Sequence, residues 1–102
     1  PSALDVVAGV HTQTVTSCTY SVDQVIQKRS GRGALTTYYN HYAMVFEDGS
    51  SHTTTLKTVT RGSTDNRLID SLTSACAQRP APKMTITYYP FTWTLTDVQL
   101  VD

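Results

Sequence analysis

Between Ala34 and Thr60 the chain changes its hydrophobic pattern only once. The run Tyr38-Tyr39-Asn40-His41-Tyr42-Ala43-Met44-Val45-Phe46 is aromatic and β-branched, with Tyr42, Met44 and Phe46 on one side of an extended backbone. Glu47-Asp48-Gly49-Ser50 interrupts it with a glycine suited to positive φ, and His52 to Thr60 returns as a threonine-rich run with Leu56 and Val59 as its strongly apolar members. This pattern predicts one long β-hairpin. Upstream, Val6, Ala8 and Val10 alternate within a predicted strand from Leu4 to Ser17, and Gly9 suggests a bulge or close backbone approach. The period then shifts. Ser21-Val22-Asp23-Gln24 has the form of a capping box, and Val22, Val25 and Ile26 share a helical face, which predicts a short helix over Ser21 to Arg29. Continuation as a strand with a bulge is the other reading of the same residues.

Downstream of the hairpin, Leu68, Ile69, Leu72, Ala75 and Cys76 recur at helical spacing. Ser63 or Thr64 can cap this helix, Asp65 suits the positive end of its dipole, and Pro80 and Pro82 stop it. Lys83 to Tyr89, a turn at Pro90, and Thr92 to Val101 complete the chain as two more strands. A single domain spanning residues 1 to 102 is expected, since 102 residues support one core.

Composition narrows the partners. Eight basic residues balance eight acidic ones, so long-range attraction to a polyanion is weak and any nucleic-acid contact must come from a local patch. Abundant threonine and serine with few long aliphatic residues favour a thin β-rich domain. No apolar run approaches the ~20 residues of a membrane helix and no basic-then-apolar leader is present, so a soluble or already processed chain with no membrane span is expected. Cys18 and Cys76 are too few for a disulfide scaffold and lack metal-ligand spacing; they form either one bridge or two buried thiols.

The concentrated positive charge lies in Lys28-Arg29-Ser30-Gly31-Arg32-Gly33, directly before the hairpin. Tyr38, Tyr39 and Tyr42 follow it, and Tyr88, Tyr89 and Trp93 gather near the last turn. Strand alternation turns some of these rings outward, where they can stack on bases or sugar faces or else cover a thin core. The expected ligand-binding set is therefore Lys28, Arg29, Arg32, Tyr38, Tyr39, Tyr88 and Trp93. His11, His41 and His52 lack the spacing of metal ligands and are expected at structural or surface positions. No catalytic residue, metal or cofactor is expected.

Several resemblances attach to these residues. Leu68 to Ala77, Met84-Thr85-Ile86-Thr87 and Trp93-Thr94-Leu95-Thr96-Asp97-Val98-Gln99-Leu100 are similar to the second half of single-stranded-DNA-binding proteins of the oligonucleotide/oligosaccharide-binding (OB) fold, whose family also accommodates a basic glycine-containing loop before Tyr38. The resemblance implies a β-rich α+β fold, an antiparallel five-stranded OB-like barrel with one helix between strands 3 and 4. It also implies a non-catalytic, homo-oligomeric module for single-stranded nucleic acid. Ser71-Leu72-Thr73-Ser74-Ala75 with Met84 to Thr87 also resembles the B subunits of bacterial AB5 toxins, which implies a secreted glycan-binding protein. A cytoplasmic location goes with the first resemblance and a secreted one with a Cys18–Cys76 bridge. A ferredoxin-like α/β sandwich is the alternative fold, favoured by the capping box at Ser21. Asn40 to Gly49, up to His52, resembles the histidine hairpin of papain-like acyltransferases and peptidases, which implies a cysteine nucleophile, here Cys76. Asp5-Val6-Val7-Ala8-Gly9 resembles the central hairpin motif of cystatins, with aspartate where glutamine is expected.

Overall fold

A computed structural model of the chain describes residues 9–29, 31, 33–59, 67–80 and 82–101. Strands β1 (His11–Arg29), β2 (Gly33–Phe46) and β3 (Ser51–Val59) precede helix α1 (Arg67–Ala77), which is followed by β4 (Met84–Tyr89) and β5 (Thr94–Leu100). All neighbours are antiparallel, in the order β3-β2-β1-β4-β5. The protein is thus β-rich α+β, as the pattern predicts. Among the described residues no backbone ladder joins β3 to β5, so the sheet is not closed into a barrel.

The segment predicted as a short helix, Ser21 to Arg29, is instead the second half of β1. It pairs with β2 without interruption from Ser21↔His41 to Arg29↔Gly33. Two physical reasons favour the strand. Val22, Val25 and Ile26 are β-branched, which costs rotamer freedom in a helix and suits a pleated surface. The long β2 strand also satisfies the backbone of this segment, whereas the helical stripe would have had nothing to bury against, since all three side chains are exposed. The ferredoxin-like alternative needs a helix after the first strand, and this pairing removes it. At the other end of the predicted first strand, Leu4 to Ala8 lie outside the described residues, as does most of the cystatin-like motif. Gly9 has φ +76° and stands before β1 rather than inside it.

Two bulges set which residues face the core. The β1–β2 register shifts between Val15 and Ser17, so Val15 and Cys18, three residues apart, point to the same face and both are buried. The β4–β5 register shifts between Thr87 and Tyr88, which likewise puts Leu95 and Val98 on one face. Each extra residue is a threonine whose hydroxyl donates to a neighbouring carbonyl, Thr16 Oγ1 to Val45 O at 3.2 Å and Thr96 Oγ1 to Thr87 O at 3.1 Å. Bulges increase local twist and bend the strand that carries them.

One face of the sheet holds the core: Val15, Cys18, Tyr42, Met44, Phe46, Met84, Ile86, Tyr88 and Leu95 from the sheet, with Leu72, Ala75 and Cys76 from α1. Of the apolar stripe read from the sequence, Leu72, Ala75 and Cys76 are the buried side of the helix and Leu68 packs at its margin, whereas Ile69 is half-buried outside the core cluster. Ser63, Thr64 and Asp65, assigned to its cap and first turn, lie outside the described residues. A disulfide joins Cys18 to Cys76 with Cα atoms 5.0 Å apart, tying the helix to β1. The Tyr42 hydroxyl lies 2.7 Å from Thr73 Oγ1, and burial pushes its pKa up. At the helix C-terminus Arg79 Nη1 donates to the Cys76 carbonyl at 2.7 Å, satisfying an end group where positive charge suits the dipole. The β2–β3 turn is built as its sequence requires. Gly49 takes φ +89°, its N–H donates to Phe46 O at 2.9 Å, and Asp48 Oδ1 accepts from the Ser50 N–H at 2.9 Å.

Candidate binding surface

Among the described residues β3 accompanies β2 as far as Thr37↔Val59, while β1 and β2 remain paired to Arg29↔Gly33. Ile26–Arg29 and Gly33–Thr36 therefore form a two-stranded arm that runs roughly 14 Å past the last described residue of β3. Lys28 is exposed near its tip, and Arg29 ends β1. Gly31 takes φ +75° in the connection and Gly33 takes φ +74° at the start of β2. Arg32 lies outside the described residues.

Strand alternation splits the predicted tyrosines. Tyr38, opposite Gln24 and Thr58, belongs to the face that continues the core outward, and Tyr39, opposite Asp23 and Lys57, belongs to the outer face. Both are half-buried. Lys28 shares the face of Tyr38, because each β1–β2 step along the ladder keeps the pairs Lys28↔Ala34, Ile26↔Thr36 and Gln24↔Tyr38 on one side.

The base of the arm is braced by groups that sequence reasoning passed over. Asn40 is 5% exposed and joins three strands: its Oδ1 accepts from the Tyr20 hydroxyl at 2.8 Å, and its Nδ2 donates to Leu56 O at 2.9 Å and reaches Thr58 Oγ1 at 3.3 Å. On the outer face His41 links three strands in the same way, with Nδ1 2.7 Å from Thr55 Oγ1 and Nε2 2.9 Å from Asp23 Oδ2. The turn at Gly49 dictates the His41–Thr55 pairing, so that half was readable from the hairpin. Asp23 joins only because its segment is a strand. The row has the connectivity of a hydroxyl, base and carboxylate relay. It differs from a catalytic one in that the Asp23 side chain is 78% exposed and sits on an open sheet face, where water competes for the carboxylate. The other nucleophile suggested by the histidine hairpin, Cys76, is held in the disulfide and has no thiol.

The remaining predicted ligand residues lie at the opposite end, roughly 27 Å along β2 from Tyr38 to Phe46. Tyr88 is 3% exposed and is a core residue: its ring stacks on Trp93 at 3.9 Å, and its hydroxyl accepts from Gln13 Nε2. Trp93 is partly buried, carries φ +54°, and also stacks on His52 at 3.7 Å and against Phe46 at 6.0 Å. Positive φ in a bulky residue is strained and persists where surrounding contacts enforce it. Here the enforcing contacts come from β2, β3 and β4. Trp93 precedes β5 and His52 is the second residue of β3, so this ring column joins the two edges of the sheet by side chains where, among the described residues, no backbone ladder does. Burial holds the His52 imidazole below its ordinary pKa. The expected set thus falls into two groups, with Lys28, Arg29, Tyr38 and Tyr39 around the arm and Tyr88 and Trp93 inside the far end.

A cleft of about 310 Å³ runs between α1 and β5, lined by Arg67, Leu68, Ser71, Thr96, Asp97 and Val98. Among the described residues no cluster of histidine, cysteine and carboxylate side chains could hold a metal ion, and no helix is long and apolar enough to cross a membrane. Comparison with protein-family profiles, with curated proteins and with solved structures returns no match to this chain.

Proposed function

We propose that this chain is a non-catalytic binding module of the OB type whose ligand is a single-stranded nucleic acid held along the β1–β2 arm. The observation that carries the reading is the arm itself: a ribbon that is two-stranded among the described residues, with Lys28 and Arg29 towards its tip and Tyr38 and Tyr39 at its base. OB modules bind oligonucleotides with the face of their second and third strands and with the loops between strands 1 and 2 and between strands 4 and 5. The basic segment Lys28 to Gly33 runs from the end of β1 to the start of β2, around the first of these loops, and exposed Phe91 lies in the second. Helix α1, placed between β3 and β4, supports the OB reading, as does the His52–Trp93 stack between the sheet edges.

Titration of a labelled mixed-sequence oligonucleotide at low and moderate salt tests this. Binding should weaken steeply with salt, and neutralising Lys28, Arg29 and Arg32 together should weaken it and flatten that dependence, because each lost phosphate contact removes counterion release. Tyr38→Ala should cost ~1–3 kcal/mol if the ring stacks on a base, with the salt slope kept. Absence of binding at low salt refutes the reading.

A second reading, a secreted glycan-binding subunit, is supported by the disulfide, which belongs in an oxidising compartment, and by the α1–β5 cleft, whose size and polar lining suit a small saccharide. It predicts the opposite result: the triple basic variant binds normally, Thr96 and Asp97 variants do not, and no oligonucleotide competes.

A further inference from the structure

β5 ends the sheet, so among the described residues its edge away from β4 has no backbone partner. The ladder fixes which groups that edge offers. The Val101 N–H donates to Lys83 O at 2.9 Å, and hydrogen-bonded pairs alternate along an antiparallel ladder, so Gln99 turns its N–H and C=O towards Thr85 of β4 while Val98 and Leu100 turn theirs outward. Opposite Ile86 and Met84, the side chains of Val98 and Leu100 lie on the core face, and Leu100 is 60% exposed. Helix α1 runs beside them in the same direction, with Leu68 next to Thr96 and Gln78 next to Leu100. The side it turns to β5 carries Ser71, Ser74 and Ala75. These small residues leave two adjoining clefts, the one of about 310 Å³ between Leu68, Ser71 and Val98 and another of about 380 Å³ between Ser71, Ala75 and Leu100.

We propose that an extended segment of a partner protein adds to this edge antiparallel to β5, and that its recognition pattern is apolar, basic, apolar. Every pair in the sheet is antiparallel, and that pairing is the more stable per residue. The partner residues opposite Val98 and Leu100 exchange both hydrogen bonds with them, and cross-strand neighbours share a face, so each sends its side chain into one cleft. The two clefts are spaced two residues apart along β5, which is the period of a strand. The partner residue between them faces Gln99 on the outer side, where Asp97 Oδ2 accepts from Gln99 Nε2 at 2.9 Å. A lysine or arginine suits that carboxylate. The lining as a whole favours the same sign, with Asp70 and Asp97 against one cation, Arg67. A strand fits better than a compact ligand, because the groove follows α1 for roughly 16 Å from Arg67 to Gln78, the length of about five extended residues. From Val98 to Leu100 the edge carries no lysine, proline or bulge of the kind that ordinarily blunts one.

The groove lies on α1 and β5, away from the arm, so its test needs no nucleic acid. A labelled heptapeptide, Gly-Ser-Val-Arg-Ile-Ser-Gly, should bind the disulfide-intact protein, and hydrogen exchange should slow at the Val98 and Leu100 amides with no change at Gln99. Methylating the backbone nitrogen of the peptide's valine or isoleucine should abolish binding, whereas methylating that of its arginine, which points away from β5, should not. Ser71→Trp, at an exposed position that lines both clefts, should weaken binding roughly tenfold or more while the circular dichroism stays unchanged. Asp97→Lys should reverse the preference between arginine and glutamate at the middle of the peptide. A peptide that does not bind overturns the proposal, and so does binding that survives Ser71→Trp or leaves Val98 and Leu100 unprotected. Protection of these amides that rises with protein concentration alone also overturns it, since that would put a second copy on the edge.

Discussion

Reduction of the Cys18–Cys76 bridge should remove a large part of the stability of this domain. The bridge closes a loop with a sequence separation of 58 residues. In the chain-entropy model a loop of that length restricts the unfolded chain enough to stabilise the fold by about 4 kcal/mol at room temperature. Domains of this size have in total about 5–15 kcal/mol. Both sulfurs lie in the core, with Cys18 3% and Cys76 0% exposed, so reduction also leaves two thiols to be accommodated where a bond had been. Urea denaturation of oxidised and fully reduced protein, followed by circular dichroism with thiol status checked by mass, measures the difference. With a slope of about 1–3 kcal/mol/M, the midpoint should fall by between one and several molar, and hydrogen exchange should increase first in α1, which the bridge anchors to β1. A midpoint shift below about 0.3 M, on the same scale of slopes, would refute the loop-closure argument. It would mean that the helix is held by packing alone.

Leu72 is completely buried between α1 and the sheet, so Leu72→Ala should cost about 3–5 kcal/mol, read as a fall in the urea midpoint with the slope unchanged. For His52 the sign follows from its depressed pKa: the unfolded chain takes up the proton more readily than the folded one. Its contribution is therefore complete above the unfolded value of about 6.5 and is lost as pH falls from there towards the folded value. Denaturation followed through the single tryptophan should accordingly give a lower midpoint at pH 5.5 than at pH 7.5, and His52→Phe should shrink that difference; an unchanged difference would show that other groups cause it.

The sequence by itself determined the elements whose signals are local. Gly49 with Asp48 and Ser50 specifies the turn, and the turn then dictates every β2–β3 partner, including His41 with Thr55. The stripe Leu68, Ile69, Leu72, Ala75 and Cys76 specifies a helix that must lie against the sheet, and it does so through all of these but Ile69. Tertiary structure decided everything that depends on a distant partner. Ser21 to Arg29 carries local signals for a helix, but β2 offered a continuous hydrogen-bonding partner, and pairing along the whole segment outweighed a capping box with nothing to bury beneath it. Alternation alone would have put Val15 and Cys18 on opposite faces; a bulge, which depends on both neighbouring strands, put them on one. The same dependence separated the aromatic residues. Tyr88 and Tyr38 look alike in sequence, yet one fills the core against Trp93 and the other stands at the base of the arm. A residue's neighbours in the chain limit its backbone, whereas its exposure, and with it its availability to a ligand, is set by strands that arrive from elsewhere.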